Sequence, residues 1–247
     1  MIGALISYLV GLKWKSARNL VANFITISEF ALTAFVVLSG YGMVSRFVGS
    51  LTSDASVSVS PVVMGTFMNF ELVLPEICGM GLHFTLDGFR SVYALVVAFM
   101  WMMVTLLCPE YFAKHHNRNR FYAFLLLTQG ATMGVFLSTD FFTTFVFFEI
   151  MSLTSYVWVA QEEKPEALKA AETYLGISVI GGMVMLMGIF MLYNSLGTVA
   201  FAEIANGIMF GFGSLTDLPG QLIAAGICIL FGFAVKAGAF PVHIWLP

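Results

Sequence analysis

Residues 139–160 read TDFFTTFVFFEIMSLTSYVWVA, a mostly apolar run that carries Glu149 near its middle. The run is long enough for one membrane-spanning helix, which needs roughly 20 mostly apolar residues. A charge at the centre of a bilayer costs a few kcal/mol, so ionisable residues that persist there usually serve a function. The stretch therefore predicts a spanning helix and marks Glu149 as a candidate functional residue.

The composition of the whole chain supports a membrane location. Of its 247 residues, 59% are hydrophobic and only 10% are charged, and the mean hydropathy is +0.91. A soluble domain carries about a quarter charged residues to cover its surface, so lipid must be the solvent for much of this one. The net charge of −3 gives no reason to expect nucleic acid as a partner, and the three cysteines lack metal-site spacing. We expect no metal and no cofactor.

Seven apolar segments are interpreted as spans, which predicts an all-α integral membrane protein with one transmembrane domain over residues 1–247. The segments are approximately 2–12, 20–45, 88–112, 121–139, 141–160, 168–194 and 219–240. The first is short for a span, and by itself it is compatible either with a short first span or with an interfacial segment. Residues 46–87 form the longest outside loop, in which VSVSPVV (57–63) alternates like a short strand. FAEIANGI (201–208) is typical of a short interfacial helix.

The basic residues indicate the orientation. With seven alternating spans, most of them fall on one side, and Arg46 and Arg90 fall on the other. Those on the first side are Lys13, Lys15, Arg18, Lys114, Arg118, Arg120, Lys164 and Lys169. Cytoplasmic loops are enriched in lysine and arginine, so the bias predicts that the N-terminus lies outside. We expect an integral protein of a prokaryotic cytoplasmic membrane.

A second ionisable residue, Lys236, lies within the last span, in ILFGFAVKAGAFPVHIWLP (229–247). A lysine near a helix end can extend to the headgroups. Here, however, Pro241 follows, and helix breaks at membrane depth are tolerated where they line protein or water. A lysine and a carboxylate on separate helices can set each other's proton occupancy, since at about 6 Å such a pair is worth roughly 3 kcal/mol. Glu149 and Lys236 are therefore candidates for a buried pair in which each residue sets the proton occupancy of the other.

Other polar residues of the spans are weaker candidates. His243 follows the break and could relay protons, because histidine titrates near neutral pH; a structural role is the alternative. Glu172 lies near the start of the sixth span, where it could instead pair with Lys169. Glu29 lies within the second span. The fourth span carries a polar stripe of Thr128, Gln129 and Thr132.

Motifs of hydrolytic and redox chemistry are absent from the sequence. It contains no HExxH, no GxSxG, no P-loop and no dinucleotide fingerprint. No histidine pair has the spacing for haem ligation across two spans. We do not expect the chain to catalyse a redox or hydrolytic reaction by itself.

Three stretches together resemble the antiporter-like proton-translocating subunits of respiratory complex I, Mrp-type sodium/proton antiporters and energy-converting membrane-bound hydrogenases. They are residues 139–160, the following EEKPEALKAAETYL (162–175), and FAVKAGAFPVHIWLP (233–247). GALISYLVGLKWKSARN (3–19) resembles the first span of that family with its basic exit, and LDGFRSVYALVV (86–97) resembles the start of the third. The resemblance runs from near residue 2 to the C-terminus.

The resemblance implies roles for individual residues. Glu149 corresponds to the family's fifth-span glutamate, Lys236 to the lysine beside its discontinuous seventh helix, and His243 to a position in the loop at the break. In the family, the glutamate and lysine form an ion pair whose opening and closing is thought to accompany proton transfer. Members have no cofactor of their own and are driven by neighbouring subunits. The expected partners are other membrane subunits, lipid, H⁺ and in some members Na⁺.

The sequence departs from the family pattern in two respects. Members carry about fourteen spans in two inverted halves, whereas this chain resembles the first half, so we expect a second chain to supply the other. A fragment, or a half-protein that acts alone or as a pair, is the alternative. Several relatives also have a lysine early in the sixth span, where this chain has Glu172 and Thr173. Glu172 therefore remains a candidate without the lysine's role.

Three functions are compatible with the sequence. The first, which we expect, is proton or sodium/proton translocation through Glu149 and Lys236 in a redox-driven complex of the hydrogenase or quinone reductase type. The second is membership of an Mrp-type cation/proton antiporter without a redox partner. The third is a structural membrane scaffold whose buried charges serve assembly.

Overall fold

The computed structural model describes residues 1–40, 70–74, 81–113, 117–211, 219–240 and 243. Within these ranges the chain is helical apart from one two-stranded hairpin and short connecting segments. The strand-like run at 57–63 lies outside the described residues. The mainly helical fold that the apolar runs predict is confirmed.

Eight helices occupy the described residues. They are α1 (Ile2–Lys13), α2 (Lys15–Gly40), α3 (Gly88–Tyr111), α4 (Arg118–Leu137), α5 (Phe141–Val159), α6 (Pro165–Leu196), α7 (Phe201–Gly211) and α8 (Gly220–Ala237). All except α1 and α7 are long and apolar enough to cross a membrane. The FAEIANGI segment lies in α7. The chain is an integral membrane protein.

Local residue types explain where the helices begin and end. Asp87 precedes α3 and Asp140 precedes α5, and each side chain accepts a hydrogen bond of 2.7 Å from the backbone N–H three residues later. Such caps satisfy donors that lack a partner within the helix. Helix α6 begins at Pro165, where the missing N–H costs nothing. It ends at Gly197, whose φ of 73° suits a residue without Cβ.

The hairpin consists of antiparallel strands β1 (Phe70–Leu74) and β2 (Leu82–Leu86). It is fastened to the helices at the start of α5. The His83 N–H donates to Thr143 Oγ1 (3.0 Å), and the Thr139 N–H donates to the His83 carbonyl oxygen (3.1 Å). We call this end of the bundle the hairpin end. The opposite end, called the basic end, holds Lys13, Arg118, Arg120 and Lys164.

The helices bury two apolar clusters. Helix α6 packs on α5 and on α8, while α4 packs on α5 and on α1, and α2 packs on α3. One cluster joins α5 to α8 and contains Phe148, Met185, Ile189, Leu192, Ile204, Leu222, Ala225 and Ile229. The other joins α1 to α4 and contains Ala4, Ala22, Cys108, Phe121, Tyr122, Leu125 and Leu126. Large apolar side chains such as Phe24 and Leu107 face outward, as expected where lipid is the solvent.

Candidate functional site

Glycine on α6 lets the helices on either side approach closely. A Cβ atom at Gly182 would lie 2.1 Å from Glu149 Oε1 of α5, and one at Gly181 would lie 2.9 Å from Val235 Cβ of α8. Any side chain at Gly182 would therefore displace the Glu149 carboxyl group. The two glycines bring α5 and α8, the carriers of the candidate ionisable residues, against adjacent faces of one helix, since successive residues are separated by about 100° around its axis.

Lys236 lies half-buried in the last turn of α8 and reaches a tyrosine of α6. Its Nζ atom donates a hydrogen bond to Tyr174 Oη and lies over the ring, 4.8 Å from the centroid. Tyr174 is only 2% exposed. Its hydroxyl in turn donates to the carbonyl oxygen of Ser152 on α5, at 3.3 Å. The lysine thus connects α8 through α6 to α5.

Glu149 lies half-buried near the middle of α5, on the side that faces α6. Its Oε1 atom is buried and makes no hydrogen bond to any described residue. Lys236 acts on this carboxyl group electrostatically, but no ion pair between described residues joins the two directly. The structure therefore brings the predicted partners near one another without direct contact, and their pairing stays a prediction.

The separation between Glu149 and the present partner of Lys236 can be estimated along the axis of α5. Ser152 follows Glu149 by three residues, about 4.5 Å along the helix axis. The Tyr174 hydroxyl donates a hydrogen bond to the Ser152 carbonyl oxygen. Tyr174, the present partner of Lys236, therefore lies about one helical turn along α5 from Glu149. We call Glu149, Ser152, Tyr174 and Lys236 the lysine–glutamate site. It contains two possible acceptors for the Lys236 ammonium group, namely the Tyr174 hydroxyl and the Glu149 carboxylate.

The two weaker candidates do not join this site. Glu172 has an exposed side chain on α6, and the described ion pairs do not include one between Glu172 and Lys169. His243 is exposed, and its ring lies 5.7 Å from that of Phe240. Roles for Glu172 and His243 in translocation remain predictions.

Tyr174 is the site residue that the sequence reasoning missed. A tyrosine in an apolar helix is not anomalous by composition, so it drew no attention beside Glu149 and Lys236. A signal was nevertheless present, because Tyr174 precedes Ser178 by four residues and therefore shares its helix face. That face continues to Gly181 and Gly182, against which α8 and α5 pack.

The second half of the chain matches a known family. Residues 138–247 match the family described as NADH:quinone oxidoreductase/Mrp antiporter, TM. The matched segment contains all four residues of the lysine–glutamate site and also His243.

Similar curated proteins extend the likeness toward the N-terminus. A Na(+)/H(+) antiporter subunit from Alkalihalophilus pseudofirmus is 31% identical over 181 residues, which is 72% of this chain but 22% of that relative. The match therefore spans about a fifth of the length of this relative.

Solved structures share the fold over nearly the whole chain. A chain of the membrane-bound sulfane sulfur reductase, an archaeal respiratory membrane complex, superposes with a TM-score of 0.72 at 22% identity, over 99% of this chain and 44% of that one. A chain of the Mrp complex from Dietzia sp. DQ12-45-1b gives 0.67 at 18% identity, over 99% and 41%. Both belong to multisubunit membrane complexes.

Proposed function

We propose that this chain, which belongs to the NADH:quinone oxidoreductase/Mrp antiporter family through residues 138–247, translocates protons, or exchanges sodium ions for protons, as one component of a multisubunit membrane complex. The observation that carries the proposal is the lysine–glutamate site. It places an ammonium group and a carboxyl group on two spanning helices around a third, with a tyrosine hydroxyl as the present partner of the ammonium.

The geometry supports a step in which Lys236 exchanges one acceptor for another. In the described arrangement the ammonium is bound to Tyr174, and the Glu149 carboxyl is buried without a hydrogen bond. Moving the ammonium a few ångströms closer to the carboxylate would gain on the order of 1 kcal/mol at an effective dielectric constant near 20. A change of this size is small enough to be driven by neighbouring subunits.

Two kinds of complex could contain this chain. A redox-driven complex is supported by the likeness in fold to a respiratory membrane complex. An Mrp-type antiporter is supported by the sequence likeness to a component of a Na(+)/H(+) antiporter. The chemistry at the lysine–glutamate site would be the same in both, and the driving partner would differ.

We place the basic end of the bundle on the cytoplasmic side. Lys13, Arg118, Arg120 and Lys164 lie at this end, and cytoplasmic ends of spans are enriched in lysine and arginine. The hairpin end would then face outward, and so would the start of α1. A prokaryotic cytoplasmic membrane is the expected location.

Transport by the assembled complex in inverted membrane vesicles tests the proposal. Glu149→Gln and Lys236→Ala should each reduce proton transport by about 100-fold, as expected when a proton-transfer group is lost, with the larger loss for the lysine because its proton is the cargo. Glu110→Gln and Lys169→Ala, which change exposed residues, serve as matched controls. If both site variants assemble and transport like the parent, the assignment of translocation to Glu149 and Lys236 is wrong and the proposal fails.

A further inference from the structure

A second polar pair lies within the membrane, apart from the lysine–glutamate site. Glu29 Oε2 of α2 accepts a hydrogen bond of 2.6 Å from Gln129 Nε2 of α4. Glu29 lies about 21 Å along α2 from Lys15, and Gln129 about 17 Å along α4 from Arg118, at 1.5 Å per residue. Both residues are therefore near the middle of their spans, where an ionisable group is costly unless it has a function.

The hydrogen bonding of this pair is complete only when Glu29 carries a proton. Gln129 is 1% exposed, and its Oε1 atom is buried without a partner among the described residues. An ionised carboxylate can only accept, whereas a carboxylic acid also donates, so a protonated Glu29 can bond to both ends of the amide. Exchanging the amide nitrogen and oxygen leads to the same result. Glu29 Oε2 would then lie 2.6 Å from the amide oxygen of Gln129, and two oxygens this close need a proton between them.

Few charged groups face this pair. From α1, the amino group of Met1 acts on Glu29 electrostatically. From α3, the charged residues Arg90 and Glu110 are far away, because they lie near the two ends of that helix. No ion pair between described residues includes Glu29, and Gln129 donates the hydrogen bond that its carboxyl group accepts.

We propose that Glu29 and Gln129 form a second proton-binding site, which exchanges its proton with the basic end of the bundle. Three buried polar atoms on α1, α2 and α4 lie between the basic end and Glu29. Asn119 Oδ1, Ser7 Oγ and Asn23 Oδ1 are each buried and make no hydrogen bond to described residues. Buried polar groups in proteins pair with protein or with ordered water. Water bound to these atoms would connect Asn119, next to Gly11 of α1, with the carboxyl group of Glu29.

The test uses a hydrophobic carbodiimide, which adds to protonated carboxyl groups, on membranes that contain the assembled complex. Peptide mass spectrometry at pH 7 should find the adduct on the peptide with Glu29 in the parent and no adduct there in Glu29→Gln. In the transport assay, Glu29→Gln should be slowed about 100-fold, as for other lost proton-transfer groups. Glu110→Gln, which alters an exposed carboxylate of α3, should transport like the parent.

Two results would overturn the proposal. One is the absence of an adduct on Glu29 in the parent at saturating reagent, a measurement that needs no variant to fold. The other is parental transport by an assembled Glu29→Gln complex. The labelling does not depend on the lysine–glutamate site. If Glu149→Gln and Lys236→Ala left transport intact, the proposed function would fail, and the adduct would still decide whether Glu29 binds a proton.

Discussion

Lys236 of α8 donates a hydrogen bond to Tyr174 of α6 and lies over its ring, 4.8 Å from the centroid. An ammonium group can only donate hydrogen bonds, so the tyrosine oxygen must accept from it. The tyrosine proton is then free to bond to the Ser152 carbonyl oxygen, as the 3.3 Å contact indicates. If the lysine lost its proton, the same hydroxyl could donate to the amine. Tyr174 can therefore accommodate Lys236 in both protonation states.

Replacing this hydroxyl tests whether it positions the lysine. Tyr174→Phe keeps the ring beneath the ammonium but removes the acceptor, and a hydrogen bond to a charged group is worth about 1.5 kcal/mol or more, or about tenfold. We expect transport per assembled complex to slow by this factor. Tyr193→Phe, on the exposed side of α6, is the control. A parental transport rate in assembled Tyr174→Phe would exclude the role.

Lys236→Arg separates the charge of the lysine from its proton. Arginine keeps the positive charge and can still donate to Tyr174, but it does not release a proton in proteins. We expect the variant complex to assemble in normal amount and to transport at the background level of Lys236→Ala. Blue-native electrophoresis and vesicle transport measure the two properties. Substantial transport by Lys236→Arg would show that the proton of residue 236 is not the cargo.

The close approach of α6 to Glu149 can be tested with one methyl group. A Cβ at Gly182 would lie 2.1 Å from Glu149 Oε1, whereas one at Gly176 would meet no atom within 4 Å. Gly182→Ala should therefore destabilise the protein by about 1–3 kcal/mol, the usual cost of overpacking, and should slow transport. Gly176→Ala on the same helix should leave transport unchanged and should stabilise the protein by about 0.5–1 kcal/mol, because alanine favours the helix. Thermal unfolding in detergent compares the variants, and equal stability would show that Glu149 moves aside freely.

The cap of α5 should contribute to stability alone. Asp140 is 4% exposed and accepts hydrogen bonds of 2.7 Å from both the N–H and the hydroxyl of Thr143. Asp140→Ala should cost about 1–2 kcal/mol, the usual range for loss of an N-cap. Transport per assembled complex should remain near the parental value. Glu71→Ala, in the exposed part of the hairpin, is the control, and equal stability of the two variants would contradict the expectation.

Hydrophobic length made the helices predictable, whereas the hairpin depended on contacts that are distant in sequence. Apolar runs such as 141–160 have few alternatives to a spanning helix, because their backbone groups must be satisfied internally. Alternation in the outside loop predicts a strand at residues 57–63, which lie outside the described residues, and it gave no signal for the described strands Phe70–Leu74 and Leu82–Leu86. Their position follows from contacts of His83 with Thr139 and Thr143, which no local pattern reveals.

Charge revealed only part of the lysine–glutamate site. Glu149 and Lys236 stand out because each is costly in an apolar helix. Tyr174 costs little in the same surroundings, since its ring is apolar and one hydroxyl needs only one partner. The hydrogen bond between Glu29 and Gln129 was not predicted for a different reason. Each residue was noticed separately, but only the packing of α2 beside α4 brings them within 2.6 Å.

The fastening of the hairpin has a mechanical consequence for the lysine–glutamate site. Because His83 holds the start of α5 at both Thr139 and Thr143, the helix that bears the carboxylate is braced against sliding along its axis. Lys236, by contrast, stands one residue before the final residue of α8, which is capped by Gly238. We therefore expect the Glu149 carboxylate to stay in place while the Lys236 ammonium moves toward it and away from it. The length of the lysine side chain limits the distance of that movement.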